Sequence, residues 1–303
     1  MSASKKLRKP TKAVIPAAGF GTRFLPQTKA MPKEMMPIID KPIIQYVVEE
    51  LVEAGIKDII IVGNSSKRAI EDHFDIPSEE LLVNLRAGGA KKAHLIDEIN
   101  ALADLATFTY VRQKGPYGNA TPLLCAAHLI GDEPFIYKWA DDFFYGSESN
   151  TKQLINVYQK YGGSVLACKK VRSSDEYDKY GIAAGEWVDD ATIKVSGIDE
   201  KPGKENAKSD LASVSEFLFT PEILKYLQQT ADEFDGEGEL MIQPAIQHMI
   251  DNGLGVYARE IKNSKFYDTG DKLEYLKTII DFGIEHESLG QSFIDYIREK
   301  VGK

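Results

Sequence analysis

Lys12-Ala13-Val14-Ile15-Pro16-Ala17-Ala18-Gly19-Phe20-Gly21-Thr22-Arg23 is the stretch on which the fold of this chain turns. Ala13-Val14-Ile15 reads as a short apolar strand, and it runs directly into a glycine-bearing turn. Glycines at a strand exit permit tight turns and close approach of backbone to a ligand, and amides freed there can bind phosphate oxygens. Working outward, Ile44, Val47, Val48 and Leu51 recur at helical spacing after Pro42, and Gly55 ends that helix. Ile59-Ile60-Ile61-Val62-Gly63 then reads as a strand buried on both faces, as in a parallel sheet. Strand, helix and strand in that order make a βαβ unit with a right-handed crossover.

The alternation continues. Residues 66–105 carry mostly helical periodicity, broken at Ala87-Gly88-Gly89, and residues 107–112 read as a strand. A helix follows Pro122, and Phe135-Ile136-Tyr137 begins a strand expected to end at Asp141-Asp142. Residues 164–171 form a further strand. Residues 182–187 and 192–198, separated by Val188-Asp189-Asp190, predict an antiparallel pair. Residues 211–219 are strand-like again, and helices are expected to dominate from Leu240 onward. The economical reading is one α/β domain over residues 12–303 with a mixed central sheet, a small β-hairpin region and C-terminal helices. A flexible basic tail, residues 1–11 with Lys5, Lys6, Arg8 and Lys9, precedes it.

Composition narrows the function. The 303 residues are 43% hydrophobic and 27% charged, the balance of an ordinary soluble globular protein. A net charge of −9 argues against a sequence-independent grip on nucleic acid, so phosphate binding would require cations concentrated locally. No apolar stretch is long enough to span a bilayer, and no secretory leader is visible. The two cysteines, Cys125 and Cys168, read as reduced core thiols of a cytoplasmic protein, and the five histidines show no zinc-binding grouping.

Four constellations carry chemistry. In the first, a dinucleotide fingerprint is excluded by Phe24 where a third glycine would stand, and no Gly-Lys-Ser/Thr completes a P-loop. The loop supplies Arg23 and then Lys33, two cations suited to polyphosphate. The second is Asp141-Asp142 at a strand end, which suits Mg2+ and equally suits a turn or cap. In the third, Tyr267-Asp268-Thr269-Gly270-Asp271, Asp271 reads as a helix N-cap and Asp268 as a second metal ligand. The fourth is Asp199-Glu200-Lys201-Pro202, where Glu200 can accept sugar hydroxyls and Lys201 can meet a phosphate.

In this order the pieces resemble the sugar-1-phosphate nucleotidylyltransferases, most closely the bacterial-type UTP–glucose-1-phosphate uridylyltransferase (UDP-glucose pyrophosphorylase) branch. The resemblance rests on residues 12–26, on Thr28-Lys29-Ala30-Met31-Pro32-Lys33-Glu34-Met35 and on Asp40-Lys41-Pro42. Val111-Arg112-Gln113, Gly131-Asp132-Glu133-Pro134, Glu200-Lys201-Pro202 and Ser288-Leu289-Gly290 extend it over nearly the whole chain. Three departures stand out: Asn119, where many members have a histidine, Lys138-Trp139-Ala140, where the family has small or apolar residues, and Gly236-Glu237-Gly238-Glu239-Leu240.

The resemblance implies a Rossmann-like, three-layer α/β/α nucleotidyltransferase fold with the site over the sheet's carboxyl edge. Ala18, Gly19, Gly21 and Thr22 would lie against the nucleotide, and Glu34, Gln113 and Gly118 would read uracil. Arg23 and Lys33 would hold the triphosphate, Gly181 and Glu200 the glucose, and Lys201 its phosphate. Asp141, or its neighbour Asp142, and Asp268 would bind Mg2+. The implied reaction joins UTP and glucose 1-phosphate to give UDP-glucose and pyrophosphate in a homo-oligomer, with no nucleic-acid or membrane partner. Alternatives are the same chemistry with dTTP, CTP or another hexose 1-phosphate, or a catalytically weak regulatory relative.

Overall fold

Alternate residues of the first strand face two different cores. Ala13 and Ile15 pack with Ile44, Val47, Val48 and Leu51, whereas Val14 packs with Leu123, Ala126 and Phe135. The next parallel strand repeats the division, with Ile59 and Ile61 on one side and Ile60 and Val62 on the other. A sheet apolar on both faces needs a helical layer on each, which gives three layers.

The computed structural model describes residues 7–302. In chain order the strands are β1 (Lys12–Pro16), β2 (Pro37–Ile38), β3 (Lys41–Pro42), β4 (Asp58–Gly63), β5 (Thr107–Arg112), β6 (Phe135–Lys138), β7 (Asp142–Gly146), β8 (Ser164–Lys170), β9 (Gly181–Asp189), β10 (Thr192–Glu200), β11 (Leu211–Phe219), β12 (Val256–Glu260) and β13 (Ser264–Asp268). The helices are α1 (Ile43–Glu53), α2 (Arg68–His73), α3 (Glu79–Ala87), α4 (Ala93–Ala103), α5 (Thr121–Ile130), α6 (Asn150–Tyr161), α7 (Ile223–Glu233), α8 (Gln243–Asp251), α9 (Lys272–Glu285) and α10 (Gly290–Val301).

Nine strands form the main sheet in the order β5-β4-β1-β6-β11-β8-β12-β10-β9. It is mixed: β5, β4, β1 and β6 run parallel, and β11 is antiparallel to both β6 and β8. The expected hairpin is β9–β10, and it continues the sheet as its edge through β12. One expectation changes. The strand begun at Phe135 stops at Lys138, and Asp142 opens β7, which leaves the main sheet to pair with β13. A bulge in β11 accompanies the break, with Ser215 in the left-handed region at φ 66°. Its carbonyl accepts from the Trp139 amide at 2.8 Å. The stretch after Leu240 likewise contains two strands, β12 and β13, among its helices.

Residues 1–6 of the basic tail, with Lys5 and Lys6, lie outside the described residues. Arg8 pairs with Glu133 at 2.7 Å, and Pro10 is buried. The departure at Lys138 has a structural counterpart. Its ammonium is fully buried between Glu50 and Glu216, and Ser149, Asn150 and Thr151 complete the hydrogen bonding of those carboxylates.

Candidate active site

β1 and β4 end side by side, and the loops beyond them build one wall of a cleft of about 540 Å3. Ala18, Gly19, Gly21, Thr22, Lys33 and Glu34 line that wall, with Gln113 and Gly118 opposite and Asp141 at the floor. Gly118 cannot be replaced without distortion. Its φ is 134°, and a Cβ there would lie 2.1 Å from the Leu240 carbonyl oxygen. Phe20 and Tyr117 meet edge to face at the mouth, with centroids 6.3 Å apart.

Two side-chain ties hold the glycine turn. Asn64 donates to the Ala18 carbonyl at 2.6 Å, and Lys67 donates to the Gly19 carbonyl at 2.6 Å. Lys67 also pairs with Glu34, 2.8 Å from Oε2 and 3.1 Å from Oε1, and both side chains are almost fully enclosed. Burial pushes the Glu34 carboxyl up, against the opposing charges of Lys67 and Lys33. The sequence reading missed Lys67. Its signal was only a lysine four residues past the end of a buried parallel strand.

A second recess of about 160 Å3 shares Asn119 and Trp139 with the cleft and contains Gly181 and Glu200. Lys201 follows at the end of β10, exposed, with Nζ 3.8 Å from Glu200 Oε1. Its φ of 48° is left-handed, a strain that clusters at ligand clamps.

Asp141 lines the cleft, and Asp268 borders a third cavity of about 440 Å3. Asp142 pairs in register with Asp268 across β7 and β13, and Thr269 donates its hydroxyl to the Asp141 carbonyl. A Cβ built on Gly270 would lie 3.2 Å from Asp141 Oδ2, 3.3 Å from Asp268 Oδ1 and 3.5 Å from an Arg23 nitrogen. Both carboxylate oxygens therefore face one small volume that only glycine leaves open. Among the described residues no cluster of three or more His, Cys, Asp or Glu side chains could itself hold a metal. Two carboxylates with room for substrate phosphates is nevertheless a common Mg2+ arrangement. Asp142 differs from Asp141. Its Oδ1 is buried without a partner, and burial, then the charges of Asp141 and Asp268, push its carboxyl well above the carboxylate range.

Three cations stand close to these carboxylates. Lys33 Nζ sits 2.5 Å from Asp141 Oδ2, facing the cleft. Arg23 instead reaches across to donate to the Gly270 carbonyl at 3.2 Å. Asp271 caps α9, accepting from the Leu273 and Glu274 amides, so Asp268 alone of that pair is free for other work. Lys179, unnoticed in the sequence, pairs with Asp268 at 2.8 Å.

The family model described as Nucleotidyl transferase matches residues 12–282. The chain belongs to the nucleotidyl transferase family. It is 40% identical over 297 residues to a UTP–glucose-1-phosphate uridylyltransferase of Bacillus subtilis strain 168, covering 98% of this chain and 99% of that one. It is similar to UTP-bound UGPase from Acinetobacter baumannii, with TM-score 0.87, 33% identity and coverage of 96% and 99%. A UDP-glucose pyrophosphorylase solved in complex with UDP-glucose matches with TM-score 0.80, 36% identity and coverage of 91% and 100%. In this family member the glycine turn, Lys33 and Asp141 share one cleft, while Gly181 and Glu200 lie in its side recess.

Proposed function

We propose that this enzyme transfers the uridylyl group of UTP to glucose 1-phosphate, giving UDP-glucose and pyrophosphate. The observation that carries the reading is a pair of adjoining spaces: the cleft of the glycine turn and a polar recess share Asn119 and Trp139, and Asp141 of the cleft converges with Asp268 over Gly270. Relatives named for this activity match over nearly their whole length, and similar structures hold UTP and UDP-glucose.

The chemistry is an in-line displacement. A phosphate oxygen of glucose 1-phosphate forms a new bond to the α-phosphorus of UTP, and the bond to the bridging oxygen of pyrophosphate breaks. Both reactants are anionic, and two unit charges ~4 Å apart near a protein surface repel by roughly 4 kcal/mol. Lys33 and Lys201 offset that repulsion from opposite ends of the site. Arg23 joins them at the triphosphate, while its bond to the Gly270 carbonyl holds the glycine turn against the turn that follows Asp268. No side chain need remove a proton, because the attacking phosphate is already ionised.

Mg2+ bound between Asp141 and Asp268 would supply Lewis-acid neutralisation of the phosphates. Asp141, or its neighbour Asp142 with its unpartnered Oδ1, and Asp268 present the oxygens for it. Gly181 and Glu200 receive the sugar; Glu34, Gln113 and Gly118 face the base. Cys125 and Cys168 are free thiols, and no helix among the described residues is long and apolar enough to cross a membrane. Leu273, Leu276, Ile280 and Ile284 leave an exposed apolar stripe on α9, the face assigned to homo-oligomer contact.

Mg2+-dependent pyrophosphate release from UTP, dTTP, CTP, ATP and GTP with glucose 1-phosphate tests the reading. Selective release with UTP is expected. Release with another nucleotide alone would move the base assignment, and no release with any would overturn the assigned substrate pair.

A further inference from the structure

Asp268 turns its two oxygens to different neighbours. Oδ1 faces the volume over Gly270 that Asp141 Oδ2 also faces. Oδ2 accepts from Lys179 Nζ at 2.8 Å and lies 3.4 Å from the Tyr180 hydroxyl. Lys33 is placed differently, because its ammonium rests on the very oxygen of Asp141 that faces Gly270. A cation held between the carboxylates would compete with Lys33 for its oxygen, whereas Lys179 occupies the other oxygen of Asp268.

The turn that carries Lys179 is itself held. Glu176 pairs with Lys169 at 2.5 Å and accepts from the Arg172 amide at 2.8 Å. The Lys201 amide donates to the Tyr180 carbonyl, and the Gly203 amide to the Tyr177 carbonyl, each at 3.3 Å. The backbone of the sugar-phosphate loop and the backbone around Lys179 are thus one hydrogen-bonded unit. Lys179 also borders both the recess of Gly181 and Glu200 and a cavity of about 440 Å3, lined by both lysines and carboxylates, that Asp268 borders too.

Building on the metal reading above, we propose that Lys179 is a positioning residue for the divalent cation. It fixes Asp268 in the rotamer that points Oδ1 at Asp141, and it anchors that carboxylate to the loop of Lys201. A carboxylate at a strand end otherwise rotates freely about two side-chain torsions. Partners that orient a ligating group commonly change metal affinity 10–100-fold when removed. Two rival roles are distinguishable: a lysine that merely competes with the metal for Asp268, and a lysine that binds the sugar phosphate itself.

The test uses the full-length enzyme saturated with UDP-glucose and Mn2+ as probe, with free Mn2+ read by electron paramagnetic resonance. Lys179→Met is expected to weaken Mn2+ binding roughly tenfold or more, and Lys179→Arg to restore it to within about threefold of wild type. UDP-glucose affinity in EDTA and the melting temperature should stay at wild-type values. Equal or tighter Mn2+ binding by Lys179→Met overturns the proposal in favour of competition. Weakened UDP-glucose binding in EDTA with Mn2+ affinity unchanged overturns it in favour of direct phosphate contact. A wild-type enzyme that binds no Mn2+ would instead remove the Asp141–Asp268 metal reading on which the proposal stands.

Discussion

Lys33 Nζ and Asp141 Oδ2 lie 2.5 Å apart, joining the phosphate loop to the carboxylate floor across 108 positions of sequence. Burial alone would depress the Lys33 ammonium, but the charges of Asp141 and Glu34 outweigh it and hold its pKa above the ordinary value. Lys33 is therefore a cation at neutral pH, poised on an oxygen that a divalent ion would also claim.

Both members of that pair should matter to chemistry more than to folding, since each side chain is still about one-quarter exposed. Asp141→Asn and Lys33→Met are each expected to lower turnover by roughly 100-fold or more, the scale seen when one preorganised charge partner is lost. Pyrophosphate release at saturating Mg2+ checks this alongside a thermal melt. Wild-type turnover in either variant would remove that residue from the mechanism.

Gly270 offers a sharper probe of the same space. Its φ is outside the left-handed region, so alanine is conformationally tolerated, yet the new methyl would crowd Asp141 Oδ2, Asp268 Oδ1 and Arg23 together. Gly270→Ala should raise the Mg2+ concentration for half-maximal rate by roughly tenfold, the scale for disturbing a metal's immediate surroundings. A Mg2+ titration with an accompanying melt is sufficient. An unchanged titration would place the metal elsewhere.

The buried Lys67–Glu34 pair separates stability from binding. Removing Lys67 alone strands a buried carboxylate, a change that typically costs about 3–5 kcal/mol. Lys67→Met should therefore melt far below wild type, and Glu34→Gln/Lys67→Met should recover most of the loss. Glu34→Gln alone carries the same change at the base-facing position, so the double variant differs from it only in lacking the Lys67 donor to the Gly19 carbonyl, and its KM for the nucleotide should be about tenfold higher than that of Glu34→Gln. Equal KM values in the two variants would make Lys67 purely structural.

Much of this was readable beforehand, for definable reasons. The strand through Ile15 and the helix through Leu51 carry their periodicity in a few adjacent residues, and the glycine turn and Glu200-Lys201-Pro202 are contiguous motifs. The N-cap at Asp271 was likewise local and holds. What escaped depends on distant partners. Lys67 matters only because β4 ends beside β1, and Lys179 only because β13 brings Asp268 to it. The place of Arg23 in the loop points to phosphate, whereas its bond to the Gly270 carbonyl, 247 positions away, leaves no local trace. The end of the sixth strand was misplaced because Trp139-Ala140 continues the apolar run, while the break comes from the bulge at Ser215.

The buried cluster around Lys138 makes a pH prediction whose sign can be fixed. Burial, with the Glu50 charge adding and the Lys138 charge opposing, pushes the Glu216 carboxyl up to about 7 from an ordinary 4.5. Between those values the folded protein keeps a proton that the unfolded chain has lost, so this group favours folding at lower pH and ceases to as pH rises through 7. Glu50 shifts the other way, and its contribution is lost only on the acid side, below its ordinary 4.5. Glu216→Gln is compatible with the local hydrogen bonds. Its oxygen can accept from Asn150 and Lys138, and its amide can donate to the Thr151 hydroxyl, which itself donates to Glu50. One ammonium then faces one carboxylate rather than two. Melting curves from pH 6 to 8.5 should show the wild type losing ground to Glu216→Gln as pH rises, by on the order of 2 °C across the window. Parallel curves for the two proteins would mean that Glu216 does not titrate there and that Lys138 holds both carboxylates ionised throughout.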